Sequence, residues 1–134
     1  MVRLLNPEHL KIVKKGASEI EKWWRNNRGR RLDLSEANLI EADLSGADLT
    51  YANLCLADLS EANLSNIFML DTHFREIKAV NTKFHNSILG GADFVDYDLS
   101  QIEGLDTVKQ FEPSSIGMDT LVKTFRSVRK GSPA

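Results

Sequence analysis

From Leu34 to Leu99 an apolar residue falls on every fifth position without a slip. The series runs Leu34, Leu39, Leu44, Leu49, Leu54, Leu59, Leu64, Met69, Phe74, Ala79, Phe84, Leu89, Phe94 and Leu99. Two residues before each stands a second, usually smaller residue, such as Ala37, Ala42, Ala47, Ala52, Ala57 and Ala62. A period of five suits neither a helix of about 3.6 residues per turn nor a flat strand of period two. On a helix these residues would wander around the axis; on a strand they would alternate between faces. A short extended piece with two residues inward, then a corner, then another such piece satisfies the spacing. The chain must then wind as an all-β solenoid, each turn resting on the last through backbone hydrogen bonds at about 4.7–4.9 Å.

The later units keep the packing logic while changing residues. At Ile77 and Ala79 the large and small positions exchange, and Thr72 and Thr82 stand beside Phe74 and Phe84. Compensated volume changes are tolerated in close-packed interiors, so residues 66–103 belong to the same rod.

The pattern A-[D/N]-L-x-x, repeated through Ala37–Ser65, resembles that of the pentapeptide-repeat family. The resemblance covers residues 32–103 and implies a right-handed quadrilateral parallel β-helix, one pentapeptide per side and about twenty residues per turn. Fourteen units then make about 3.5 coils, a rod of roughly 17 Å. The chain divides into an N-terminal amphipathic capping helix and basic linker (1–31), the β-helix (32–103), and a tail with a short helix (104–134).

Asn6-Pro7 reads as a helix start, with a capping side chain and a proline in the first turn. Leu10, Val13, Ala17, Ile20 and Trp24 continue as one apolar stripe to about Asn26. An uncovered β-helix end is an open strand edge over exposed core, and covering it is the work expected of this helix and of Trp23 and Trp24. After Gly104 the five-residue register stops; Asp119 can cap a short helix carrying Leu121, Val122, Phe125 and Val128. The two flanks, EHLKIVKKGASEIEKWWRNN and GLDTV with PSSIGMDTL, resemble the borders of bacterial pentapeptide modules that can precede a Toll/interleukin-1-receptor-like domain. That likeness implies a targeting part of a larger effector or signalling protein.

Charge is unevenly spread. Residues 1–31 carry a net +6, residues 32–103 a net −10 and residues 104–134 a net +2. The residue before each central position points outward and is Asp or Asn through Asn63. Neighbouring carboxylates resemble acid–base pairs, but Asp and Asn also favour corner backbone and bond to it locally, which is the reading adopted. Arg25, Arg28, Arg30 and Arg31 could engage phosphates; a solvated turn meeting the acidic rod accounts for them without nucleic acid. Cys55 and His73 share a side in successive turns and His85 faces another, too few ligands for a metal centre. With a twenty-residue turn, Asp48, Phe68 and Ile88 form one outward column beside Thr50, Leu70 and Gly90, with Tyr51 at the corner. An apolar outward column calls for a covering partner or the chain's own tail.

No phosphate loop, Cys/His dyad, serine elbow or metal motif appears, so no enzyme activity, cofactor or metal is expected. The reading is a cytoplasmic interaction or oligomerisation module, partnered by another protein or by itself. Its candidate surface is Tyr51, Phe68, Leu70, Ile88, Leu121 and Phe125; neither direct nucleic-acid binding nor a membrane span is expected. The alternative is an acidic rod mimicking duplex DNA and regulating DNA gyrase, as some family members do. A rod of roughly 17 Å would match only about ten phosphates, which argues against it.

Overall fold

The computed structural model describes residues 6–91, 93–94, 99–104, 107–110 and 115–116. The helix expected from Asp119, with Leu121 and Phe125, lies outside the described residues.

The five-residue period becomes a four-sided coil. Parallel pairings run Asp33–Asn53–His73 on the first side, Asn38–Asp58–Lys78 on the second, and Asp43–Asn63–Lys83 on the third. On the fourth side Asp48 pairs with Phe68, which begins β1 (Phe68–Leu70). Each step spans twenty residues. Between turns the backbone bonds repeat the same pattern: Leu34 N–H donates to the Asn53 carbonyl at 2.8 Å, Leu54 N–H to that of His73 at 2.9 Å. β2 (Thr82–Lys83) pairs with β5 (Ile102–Glu103), also twenty residues on. β3 (Ile88–Gly90) lies between β1 and β6 (Lys109–Gln110).

A corner at every fifth residue makes the sides short. Glu36, Glu41, Tyr51, Leu56, Glu61, Asn66, Asp71, Glu76, Asn81 and Asn86 all take φ between 51° and 64°, and Gly46 and Gly91 continue the series. The Ala37 N–H donates to the Leu34 carbonyl at 3.1 Å, closing a turn with positive φ at its third residue, the geometry of a type II turn. A non-glycine residue in this conformation costs about 1 kcal/mol. Burying the neighbouring leucine gains about 2 kcal/mol, so the corner holds.

Inside, Leu34, Leu39, Leu44, Leu49, Leu54, Leu59 and Leu64 are fully buried, with Ala37, Ala47, Ala52, Ala57 and Ala62 between them. Ile77 and Ala79 are both buried, so the exchange of sizes does preserve the packing. In the third turn Phe74 and Phe84 meet across the interior at 6.5 Å between ring centroids. The hydroxyls there have partners in the turn below: Thr72 donates to the Leu49 carbonyl at 2.9 Å and Thr82 to that of Leu59 at 2.7 Å. Ser87 does the same to Leu64.

Two N-terminal helices stand where the stripe of apolar residues suggests one. α1 spans Pro7–Lys14 and α2 spans Ala17–Asn26. Asn6 caps α1 as expected, its side chain accepting the Glu8 N–H at 3.0 Å. The break falls at Gly16, whose φ of 97° no helix accommodates. A Cβ there would meet only ordinary contacts, so conformation rather than space calls for glycine. The bend brings Val13 of α1 and Ile20 of α2 into one core with Leu32 and Leu34, all fully buried.

Beyond Gly104 the spacing changes but the stacking continues. Ile88 pairs with Lys109, twenty-one residues on. β4 (Asp93–Phe94) pairs with β7 (Ser115–Ile116), twenty-two residues on. The first extra residue enters between Glu103 and Lys109, a span that includes Gly104, where the His85 ring would lie 2.4 Å from any added Cβ.

Candidate functional site

Outward side chains occupy two positions on each side of the coil, and three of the four sides are predominantly polar. Asp43 and Ser45, Asn63 and Ser65, Lys83 and His85 stack on the third side. Their carboxylates and amides are engaged in the corners: Asp43 accepts both the N–H and the hydroxyl of Ser45, at 3.1 and 2.6 Å. Those bonds hold its carboxyl below the usual carboxylate range, which suits a fixed acceptor and not a proton donor. Asn38, Asp48, Asn53, Asp58 and Asn63 accept the N–H two residues on in the same way. The local bonding expected from the sequence is therefore what these residues do.

The fourth side differs. Phe68 lies directly between Asp48 and Ile88, and Leu70 stands beside Phe68 on β1. Phe68 is 42% exposed and Tyr51 49% exposed, with Leu70 and Ile88 half-buried. Tyr51 donates its N–H to the Leu70 carbonyl at 2.8 Å, which fixes the corner against this strand. The structure thus brings Tyr51, Phe68, Leu70 and Ile88 together. Leu121 and Phe125 lie outside the described residues. Ile40, Leu56 and Val80 are also exposed, and the sequence reading did not single them out. Ser60 sits between Ile40 and Val80 in their column, so they do not merge into a patch.

At its ends the fourth side becomes charged. Lys109 pairs above Ile88 and is exposed; the twenty-one-residue step hid it from a count of twenty. At the foot, Trp24 of α2 donates its indole N–H to the Asp48 carbonyl at 2.8 Å. Around the adjoining corner, Gly29, Arg30, Arg31 and Tyr51 line a shallow cleft of about 250 Å³. Arg25 pairs instead with Glu21 on the helix surface.

Cys55 and His73 lie on one side in successive turns, as expected. Among the described residues no three His, Cys, Asp or Glu side chains converge as metal ligands. No described helix is long and apolar enough to cross a membrane.

A family model of pentapeptide repeats matches residues 30–66 and 57–94, in eight copies. The chain belongs to the pentapeptide-repeat family. Solved pentapeptide-repeat proteins share its fold. One from Nostoc Pcc 7120 is 23% identical with a TM-score of 0.54, over 71% of this chain and 86% of its own. Another, from the Arabidopsis thaliana thylakoid lumen, is 25% identical with a TM-score of 0.50, over 78% of this chain and 74% of its own. No curated protein sequence matches the chain significantly. Pentapeptide-repeat chains form right-handed quadrilateral β-helices, and the four parallel ladders described above follow that design.

Proposed function

We propose that this pentapeptide-repeat chain is a non-enzymatic protein–protein interaction module working in the cytoplasm. Its rod of about 3.5 coils is closed at the first turn by α1 and α2. The docking surface is the fourth side: Tyr51, Phe68, Leu70 and Ile88. One observation carries the reading. Among the described residues, this is the side on which large apolar side chains stand outward in successive turns.

The DNA-mimicking alternative is the weaker one. Asp33, Glu36, Glu41, Asp43, Asp48, Asp58 and Glu61 have no Lys or Arg among them, but the third turn brings Arg75, Lys78 and Lys83. Lys78 stacks on Asp58, and Lys83 on Asn63. A duplex repeats its negative charge along the whole axis, whereas these columns change sign within three turns.

A photo-crosslinking amino acid at position 68, with position 45 on the polar third side as control, tests the proposal in the cells that make the protein. Adducts with another polypeptide from position 68 alone are expected. Equal labelling from both positions, or only internal adducts with residues 117–134, would overturn it.

A further inference from the structure

We infer that the partner on the fourth side is a second copy of this chain, packed antiparallel about a two-fold axis. The inference deepens the interaction reading above and rests on it. Four outward residues stack in one column, in the order Asp48, Phe68, Ile88, Lys109. The column is therefore acidic at one end, apolar in the middle and basic at the other. Its ends lie about 14 Å apart at the usual strand spacing.

Such a column is complementary to its own reverse. A two-fold contact presents the same patch from both copies, so residue i meets j and j meets i. With the axis parallel to the strands, each copy's first rung faces the other's fourth. Asp48 of each then meets Lys109 of the other, and Phe68 meets Ile88. With the axis along the rod, Asp48 would face Asp48 and Lys109 would face Lys109. Charge selects the antiparallel arrangement, and opposed like charges exclude the parallel one. Tyr51 flanks the column, and on the other sides the described exposed apolar residues, Ile40, Leu56 and Val80, do not stack in successive turns. The patch is small beside the roughly 800 Å² per partner of a standard interface, so the pair should exchange rapidly and form at high concentration.

Charge reversal gives the test. Asp48→Lys places lysines opposite Lys109, and Lys109→Asp places carboxylates opposite Asp48. Lysine suits this repeat position, since Lys78 and Lys83 occupy the equivalent positions on the second and third sides. Sedimentation equilibrium to about 1 mM, the range a small interface requires, should show the wild type dimerising. Each single variant should dimerise about tenfold less tightly. Mixing the two single variants should restore association, because in that heterodimer both facing pairs are again opposite in sign. Melting curves check that both variants fold. If Asp48→Lys does not, Asp48→Asn and Lys109→Gln replace the pair, and their combination should abolish the salt dependence of dimerisation. A wild type monomeric at every concentration, or a mixture no better than its components, would refute the antiparallel dimer. Position-68 adducts with a different protein alongside a monomeric wild type would sink the dimer and leave the interface reading in place.

Discussion

The imidazole Nδ1 of His9 accepts the backbone N–H of Asp33 at 2.9 Å. One turn later the equivalent N–H, that of Asn53, donates to the Leu32 carbonyl, and the next, that of His73, to the Ala52 carbonyl. Asp33 has no turn beneath it, and the ring of α1 stands where a carbonyl would be. Trp23 packs edge-on against the ring at 5.2 Å. Only the unprotonated nitrogen can accept, and burial holds the imidazole pKa below the ordinary histidine value, with Asp33 opposing and Arg30 reinforcing.

A pH dependence follows. The folded pKa lies below the unfolded one, so stability is complete above the unfolded value of about 6.5 and declines as pH falls through the folded value. His9→Asn keeps an acceptor near the same place without titrating. Urea midpoints measured from pH 7.5 to 5.5 should fall for the wild type and stay flatter for His9→Asn. Parallel curves would mean the ring is not the group responsible.

The hydroxyls inside the third turn contribute through hydrogen bonds as well as size. Thr82→Val keeps the volume but loses the bond to the Leu59 carbonyl, which still accepts the Ala62 N–H. Denaturation should show a loss of about 1 kcal/mol. A neutral or stabilising result would assign Thr82 to packing alone.

Corner conformation is testable at Gly46 and Leu56. Gly46 has φ 74° and open space where a Cβ would sit, so Gly46→Ala reports backbone strain only. It should destabilise by about 1 kcal/mol. Leu56, at φ 63° and 52% exposed, has little packing to lose. Leu56→Val adds β-branching in a left-handed conformation and should also cost about 1 kcal/mol. If both variants melt with the wild type, the corners are not held left-handed in solution.

Phe84 is fully buried against Phe74. Phe84→Ala should lose about 3–5 kcal/mol in calorimetry or denaturant. A loss under about 1 kcal/mol would contradict a filled interior.

The ladders were legible because the interior admits few residue types and the period never slips between Leu34 and Leu89. Adding twenty then placed Phe68 above Asp48 and Ile88 above Phe68, and the pairing agrees. The break at Gly16 was hidden because Val13, Ala17 and Ile20 keep helical spacing straight through it. Corner conformation was hidden too, since Glu, Tyr and Leu give no hint of positive φ. Lys109 was missed for a third reason: the inserted residue shifts it from a step of twenty to one of twenty-one. The charged end of the fourth side became visible only once the strands were paired.

The most direct test of the winding is an amide NOE map of the labelled protein in solution. Contacts twenty residues apart, from Asp33 to Asn53 to His73 and from Asp48 to Phe68 to Ile88, together with the twenty-one-residue step from Ile88 to Lys109, are the expected result. Helical contacts three and four residues apart through residues 32–91, or a step other than twenty between those pairs, would contradict the coil and the surface built on it.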